Sequence, residues 1–547
     1  MCIVMKNLFF LSCLFLVLVG CNSNASVEFF KDNGYQEDTV YISGKVQNFP
    51  KSGNLLIAYP KSVEGKQERM SVKPDSMGYF EVRIPVINSV RLYLYSFVKG
   101  KGMDLFAEPG EKIEIHSDWM EHGTLKFSGE HARSHQDVYD YGLYLDSLNL
   151  PITHIDYMDR KVSHEDFLKR IESDWSKKDS LLKDYCQNRP QMSERAVRQL
   201  QISYLNRFAF LLMQRRFVLD IPKRESFPKF YMQKADSIFR ILPRPYTLVD
   251  LSVFRDYLDY YNEHREGVAT NMKMMFDYIE KEKGIVLTEE QRLDVECLNT
   301  PEMKNAMDEA YQYLSQLPEY EAALIDRWAG GVYLFPLPDD LKELMLAHFH
   351  YFCLDGMRKA MFVENFQRFQ SEVKNPVLAR PVVQLQEELV DLENQKMESQ
   401  SLMDASNLKD CRTGEELFHE ILKLYRGKIV YLDVWGVWCT PCKQQMQYVP
   451  FVKQAMKGKD VVFLYLANNS SEVSWKNTIK EYKLIGEQVV HYNLPAKQQS
   501  LLEEYLQVKH FPTYMLIDRK GNIVDRNPPR PKSKETLVDY LNDWLEK

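Results

Sequence analysis

Hydrophobic and polar residues alternate along much of the first quarter of the chain. The alternation is clearest over residues 40–46, 55–59, 80–84, 91–97 and 112–115. A period of two places successive side chains on opposite faces of a strand, so each segment predicts a β-strand with one buried face. Sequences rich in proline, glycine and aspartate separate these segments. Short strands at this spacing predict an antiparallel β sandwich or barrel over residues 39–130.

The hydrophobic period becomes that of a helix over residues 131–405. Ser163, Ser193 and Thr288 each precede such a stretch, and these residue types favour helix starts. Prolines interrupt the pattern repeatedly, so the region is predicted to be several helices that end in a polar linker. Its many tyrosines favour helical core packing, with a ligand groove as the alternative.

Two histidines in this helical region, His348 and His350, lie two residues apart. On a helix they point in different directions, so they make a poor metal-binding pair.

Strand-like and helix-like segments alternate over residues 406–547, which predicts an α/β domain. Residues 429–434 form a near-continuous apolar run, as expected for a strand that is buried on both faces. Asp433 is the one polar group in that run. A single helix is predicted over residues 439–456, and Ser533 is predicted to cap the final helix.

Two cysteines, Cys439 and Cys442, follow this strand with two residues between them, at the start of the predicted helix. The free N–H groups and the dipole of a helix N-terminus favour an anion, so the first thiol should lose its proton easily. A carboxyl group buried beneath the pair, Asp433, is suited to accept the proton of the second thiol. The pattern therefore predicts a redox-active dithiol.

Other interpretations of these residues remain open. The two cysteines could be half of a zinc site, for which Cys411 and His419 are the nearest further ligands. The cysteines could also form a purely structural disulfide, and Asp433 could be a hydrogen-bonded acid at a strand end. Nothing in the sequence calls for a cofactor or a metal, and none is predicted.

Residues 410–547 resemble the envelope TlpA/ResA-like thiol–disulfide reductases of the thioredoxin superfamily. The resemblance rests on Trp438 directly before Cys439, on Pro441 between the cysteines, and on Asp433 six residues before the first cysteine. It also rests on the later sequence Phe511-Pro512-Thr513, which matches the family's cis-proline motif. The resemblance predicts a thioredoxin-like fold over residues 406–547.

The resemblance also implies roles for these residues. Cys439 would be the nucleophile, Cys442 the resolving thiol and Asp433 the base that accepts its proton. The residues expected to contact substrate are Trp438, Phe511, Pro512 and Thr513. One departure is Gln445, which stands where the family usually has a glutamate.

The first twenty residues resemble a bacterial lipoprotein signal peptide. Lys6 precedes an apolar stretch over residues 8–19, which ends in the sequence Leu18-Val19-Gly20-Cys21. Cys21 is the predicted lipidation site, and residues 21–38 are a predicted tether. Asn22 slightly favours the outer membrane. An ordinary secretory signal with a chance cysteine is the alternative.

The length and charge of the chain limit its function. A chain of 547 residues should form two to four domains. Its net charge of −7 gives no indication of a nucleic-acid partner. The predicted protein is a lipid-anchored periplasmic oxidoreductase that reduces disulfide-containing envelope proteins and is reduced again by a membrane electron donor. The alternative is a binding or scaffolding lipoprotein with a vestigial dithiol.

Overall fold

A computed structural model describes residues 29–149, 155–215, 229–266, 270–293, 300–397, 399–408 and 410–547. The predicted signal peptide and the predicted lipidation site, Cys21, lie outside the described residues.

Eight strands form the N-terminal domain. They are β1 Asp38–Gln47, β2 Leu55–Lys61, β3 Lys66–Val72, β4 Tyr79–Val86, β5 Val90–Val98, β6 Lys101–Ala107, β7 Lys112–Asp118 and β8 Lys126–Gly129. They make two four-stranded sheets, in the orders β4-β1-β7-β8 and β3-β2-β5-β6. Alternate apolar residues of both sheets meet in one core, so the predicted sandwich is confirmed. The β1–β7 pair is parallel, and the other pairs are antiparallel.

The alternation of hydrophobic residues did not reveal three of these strands, β3, β6 and β8. The first of them, Lys66–Val72, is an edge strand with mostly exposed, polar side chains. Such a strand buries too little apolar surface to leave a period-two pattern, and polar edges protect a sheet from further pairing.

Twelve α-helices follow within the described residues. They are α1 Ala132–Ser147, α2 His164–Asn188, α3 Glu194–Gln214, α4 Lys229–Phe239, α5 Leu251–Glu266, α6 Thr270–Lys283, α7 Glu289–Leu293, α8 Pro301–Leu314, α9 Pro318–Leu334, α10 Asp339–Met357, α11 Val363–Glu372 and α12 Pro376–Asn394. The predicted caps are confirmed, since the side chains of Ser163 and Ser193 accept hydrogen bonds from the first turns of α2 and α3. Across the described ranges, no helix combines the length and apolarity that a membrane span requires.

The aromatic residues of the helical region are mainly core residues, as predicted. Tyr257, Tyr260 and Tyr261 lie in one large cluster with Phe254 and Phe335. This cluster is held in place by neighbouring helices on several sides, so these tyrosines do not line an open groove.

The two histidines of α10 are buried and make backbone contacts. His348 Nδ1 lies 3.0 Å from the carbonyl oxygen of Val63 in the β sandwich. His350 Nδ1 lies 2.8 Å from the carbonyl oxygen of Leu346. Burial lowers the pKa of His348 to about 4, so its ring is neutral and its role here is to join the two domains.

The C-terminal domain has a five-stranded sheet in the order β11-β10-β9-β12-β13. The strands are β9 Ile429–Trp435, β10 Val461–Ala467, β11 Val489–Asn493, β12 Thr513–Ile517 and β13 Ile523–Asp525. The helices are α13 Gly414–Leu422, α14 Thr440–Met446, α15 Val449–Met456, α16 Glu472–Glu481, α17 Ala496–Leu506 and α18 Glu535–Leu545. Separate apolar cores cover the two faces of the sheet, so the predicted α/β class is confirmed.

Two details of the predicted C-terminal domain are wrong. The single helix predicted over residues 439–456 is two helices, α14 and α15. Pro450 lies in the first turn of α15, where its missing N–H costs nothing, and it would break an uninterrupted helix. Ser533 does not cap the final helix, because its hydroxyl donates to the carbonyl oxygen of Arg530 in a preceding 3-10 turn.

The helical region contacts the C-terminal domain along two lines. The helix α8 packs against α17. The end of α10 and the helix α12 contact α14 and α16. Both lines lie near the start of α14, where the two predicted redox cysteines are found.

Candidate active site

The dithiol follows a fully buried central strand of the C-terminal sheet. Every residue of β9 is buried. The strand pairs in parallel with β10 and antiparallel with β12, so it lies inside the sheet. Its carboxyl end is therefore held in place by strands on both sides, and the residues that lead to the dithiol follow directly.

A tight turn at Gly436 connects β9 to the cysteines. A side chain at this position would place its Cβ 2.5 Å from the indole nitrogen of Trp438, so only glycine leaves room for the indole. The indole N–H donates to the carbonyl oxygen of Asn468 at 3.2 Å. About half of Trp438 is exposed, and its ring packs edge to face on Phe511 with the centroids 5.1 Å apart. These two aromatic side chains form one surface next to the dithiol.

Cys439 and Cys442 form a disulfide. Cys439 is the N-cap residue of α14, and its Sγ accepts a hydrogen bond from the Cys442 N–H at 3.1 Å. In the reduced protein the same N–H would stabilise a thiolate at Cys439. Cys442 is fully buried, whereas Thr440 and Pro441 between the two cysteines are exposed. Cys439 is 3% exposed, so in the disulfide both sulfurs are largely covered and the first is only slightly more accessible than the second.

Asp433 lies in the middle of the sheet, two residues before the end of β9. It pairs with Tyr465 on β10 and with Tyr514 on β12, and it is 2% exposed. Neither carboxylate oxygen makes a hydrogen bond of ordinary geometry. Burial raises the pKa of Asp433 to about 8, and the nearby Tyr514 hydroxyl and Arg530 guanidinium offset only part of that rise. The carboxyl group therefore holds a proton at neutral pH.

The peptide bond between Phe511 and Pro512 is cis. Thr513, the next residue, pairs with Val434 near the carboxyl end of β9. Pro512 therefore lies at the same end of the sheet as the dithiol. The Thr513 hydroxyl donates to the carbonyl oxygen of His510 within the same loop. The four residues predicted to contact substrate thus lie at one end of the sheet.

Comparison with known proteins agrees with the α/β fold and the dithiol site described above. A family model described as thioredoxin-like matches residues 427–523, which contain β9, the dithiol and the cis-proline. The C-terminal domain is thioredoxin-like.

Proteins similar to this thioredoxin-like domain carry related names. Thiol-disulfide oxidoreductase ResA of Bacillus cereus is 32% identical over 120 residues, which are 22% of this chain and 65% of that protein. ResA of Bacillus subtilis is 27% identical over 21% of this chain and 62% of its own length. The chain thus spans just under two thirds of the ResA proteins. A thioredoxin domain of a thiol-disulfide oxidoreductase from Bacteroides vulgatus is 24% identical, with a TM-score of 0.20, over 23% of this chain and 84% of that one.

Gln445, which stands where the family usually has a glutamate, has a structural role in this thioredoxin-like domain. Gln445 lies on α14, and its side-chain oxygen accepts a hydrogen bond from the Lys532 N–H at 3.1 Å. It therefore holds the loop before α18.

The proposed further zinc ligands do not join the dithiol. His419 is exposed and lies near Glu415, whereas Cys411 is half-buried against the opposite core of the sheet. Within the described residues, no three His, Cys, Asp or Glu side chains are grouped as a metal site would need.

Sequence analysis missed three residues that shape the site. The Val437 N–H donates to the hydroxyl of Ser470 at 3.1 Å, and Asn468 accepts from the indole of Trp438. Both residues follow β10. The carboxyl ends of parallel strands meet at one edge of a sheet, so the end of β10 was the signal that could have identified them.

The third missed residue is Lys443, directly after the second cysteine. It is only 7% exposed, and its ammonium group donates to the carbonyl oxygen of Asp355 in the helical region at 3.0 Å. Burial lowers the pKa of Lys443. No local pattern could have shown that this lysine faces another domain.

Proposed function

We propose that this protein is a thiol–disulfide oxidoreductase that reduces disulfides in envelope proteins. The observation that carries the proposal is the Cys439–Cys442 disulfide at the start of α14, which follows the strand that holds the buried carboxyl group of Asp433. The cis-proline at the same end of the sheet and the names of the ResA proteins support it.

The reaction begins with the reduced dithiol. The Cys439 thiolate attacks one sulfur of a substrate disulfide, that bond breaks, and one substrate thiolate leaves. The Cys442 thiolate then attacks the sulfur of Cys439, and the second substrate thiolate leaves. The enzyme ends as the Cys439–Cys442 disulfide. Two electrons have passed to the substrate. Its two thiolates take up two protons from solvent, one of which Cys439 had released there, while the proton of Cys442 stays on the protein.

Asp433 is the proposed carrier of the proton of Cys442. As a carboxylate it accepts that proton when Cys442 becomes the attacking thiolate. Because burial raises the pKa of Asp433 to about 8, the oxidised protein can keep the proton at neutral pH. When the disulfide is reduced again, Asp433 returns the proton to the departing Cys442 sulfur. The acid and the thiol thus exchange one proton without bulk water.

The direction and the location are further parts of the proposal. A buried acid that accepts the proton of the second thiol would suit the reductase direction. That direction requires an electron donor, which we propose to be a membrane-bound dithiol protein. Lipidation of Cys21 would anchor the chain to the bacterial envelope with the soluble domains in the periplasm, with the outer membrane slightly favoured.

Trapping of the mixed disulfide tests this function. In a Cys442→Ser variant the first attack can occur but resolution cannot, so Cys439 should accumulate covalent adducts with envelope proteins that reductant releases. Cys411→Ser is the matched control, since Cys411 is a half-buried single thiol on another part of the same domain. A Cys442→Ser variant that forms no more adducts than the control would favour the scaffolding alternative.

A further inference from the structure

A cavity of about 840 Å³ lies between the helical region and the thioredoxin-like domain. One wall belongs to the active site and includes Val437, Trp438 and Thr440. The facing wall belongs to the helical region. Its apolar side chains are Met275, Met307, Leu324, Trp328, Phe352 and Met357. The cavity therefore begins at residues that flank the attacking cysteine.

On one side of the cavity, α8 is bonded to the thioredoxin-like domain. Asp308 accepts a hydrogen bond from the backbone N–H of Ala496, at the start of α17. The ammonium group of Lys304 lies 3.3 Å from the hydroxyl of Ser500, one turn further along that helix.

On the other side, the end of α10 is bonded to the same domain. The guanidinium of Arg358 lies 2.6 Å from the carboxylate of Glu481, and the side-chain amide of Asn477 donates to the carbonyl oxygen of Arg358 at 2.9 Å. Together with the contact between Lys443 and Asp355, these bonds hold the helical wall in place. The cavity is thus bounded by polar contacts on both sides.

We propose that this cavity binds the polypeptide that carries the substrate disulfide, as an extended segment with an apolar side chain close to the attacked half-cystine. The inference rests on the proposed reductase function and adds a substrate preference to it. Trp438 and Thr440, the residues directly before and after Cys439, both line the cavity. Residues one or two positions away lie about 4 to 7 Å from the half-cystine along an extended chain, which places them at the cavity.

The size and the lining of the cavity identify this occupant. Ligand pockets typically measure roughly 300 to 1,000 Å³, so the cavity can take several residues, and a small thiol would fill only a fraction of it. Three methionines on one wall can adapt to apolar side chains of different shape. On another wall the exposed side chain of Asn469 offers groups that can hydrogen-bond to a peptide backbone.

The charged residues of the cavity do not select a charged ligand. The ammonium groups of Lys304 and Lys443 already contact protein oxygens, and Asp308 already accepts a backbone N–H. Asp355 pairs with Lys66 and Arg358. Glu503 accepts hydrogen bonds from the side-chain amides of Asn468 and Gln499. These groups hold the walls together, so the apolar surface determines the preference.

A glycine in the cavity wall allows a direct test. Gly356 lies near the end of α10, and a Cβ added there would meet no atom within 4 Å. Gly356→Trp should therefore fill the cavity without strain at the backbone. Gly142 on α1 is the matched control, because it is also a helical glycine with open space around it but lies outside the cavity.

The assay compares two peptides of one length, each joined to glutathione through its single cysteine. One peptide has Met and Phe two and three residues after the cysteine, and the other has Ser and Asn. The reduced full-length soluble chain should reduce the apolar peptide about tenfold faster, as expected for burial of one apolar side chain. Gly356→Trp should bring this ratio close to one, whereas Gly142→Trp should retain it. Met307→Gln, which keeps the size of the side chain, should lower the ratio in the same direction.

The outcomes separate this inference from the proposed function. Equal rates for both peptides in the unmodified protein would overturn the cavity as a selector while leaving the reductase intact. A ratio that Gly356→Trp leaves unchanged would overturn it as well, as would equal loss of both rates in that variant. Failure of the unmodified protein to reduce either peptide would instead contradict the reductase function itself, and with it the inference that depends on it.

Discussion

The β sandwich and the thioredoxin-like domain each place a carboxyl group in a dry interior, but the two groups differ in their partners. The Glu111 side chain is 1% exposed, with one oxygen 2.9 Å from His135 and the other accepting the Glu108 N–H at 2.8 Å. Asp433 is equally buried but makes no hydrogen bond of ordinary geometry. Its partners make Glu111 a structural element. Asp433 has a raised pKa despite the nearby Tyr514 hydroxyl and Arg530 guanidinium, so it is ready to exchange a proton.

The largest effect should come from the sulfur that attacks. Cys439→Ser removes the nucleophile, so the rate of disulfide reduction should fall at least about a thousandfold, since a hydroxyl at neutral pH is a far weaker nucleophile than a thiolate. Stopped-flow reduction of a peptide disulfide measures this rate. If the variant retained a tenth of the activity, another thiol would have to be the nucleophile.

The paired acid predicts a loss of stability without a loss of activity. His135→Ala leaves Glu111 buried with one partner fewer, which should cost about 3 kcal/mol in the free energy of unfolding of the β sandwich. His116→Ala is the control on a neighbouring strand, because its contact with Glu114 is exposed and should contribute less than about 1 kcal/mol. Urea unfolding measures both. A drop in reductase rate for His135→Ala would contradict a purely structural role for Glu111 in the β sandwich.

For Asp433 we expect the opposite result, a loss of activity without a loss of stability. Asp433→Asn should slow the resolution of the mixed disulfide about a hundredfold, because the proton acceptor for Cys442 is lost. Rapid quenching followed by separation of the mixed disulfide measures this step. Equal resolution rates in the two proteins would show that water accepts the proton.

The same variant should raise stability in a pH-dependent way. The pKa of Asp433 is about 8 in the folded protein and about 4 in the unfolded chain, so the unfolded chain releases a proton that the folded protein keeps. The free energy of unfolding therefore falls as pH rises between these values. Asp433→Asn should gain a few kcal/mol at pH 8 relative to the unmodified protein and little at pH 4. Thermal unfolding at the two pH values measures the difference, and an equal gain at both would contradict the raised pKa.

The smallest effect should be at the contact between domains. Lys443→Met keeps the aliphatic length but removes the hydrogen bond to Asp355, so opening of this contact should become about fivefold more frequent, or about 1 kcal/mol easier. Hydrogen exchange at the end of α10 measures the opening. Lys457→Met, at an exposed position of the same domain, is the control. Unchanged exchange in Lys443→Met would show that the contacts of Arg358 with Glu481 and Asn477 are enough to hold this side of the cavity.

The parts of the molecule that sequence analysis could predict are those with local signals. The strand over residues 429–434, the dithiol and Asp433 lie within fourteen consecutive residues, so one apolar run and one spacing were enough to align them. The cis bond at Pro512 followed from a short motif. The sandwich was predicted from alternation, which also explains why the polar edge strand β3 was not.

The features that could not be predicted depend on contacts between distant residues. Lys443 meets Asp355 across 88 positions of the chain, and the Trp438 indole meets Asn468 across 30. The cavity has walls from two domains and no local pattern. The prediction of one helix over residues 439–456 was wrong because α14 and α15 both have helical periodicity. The break between them depends on Pro450, which lies in the first turn of α15.

The reduction potential of the Cys439–Cys442 pair tests the central claim most directly. It can be measured by equilibrating the soluble chain with dithiothreitol buffers and quantifying the free thiols. A disulfide reductase should have a potential close to that of thioredoxin, about −270 mV. A value close to that of a strong oxidant, about −120 mV, would contradict the reductase and make the protein a disulfide donor.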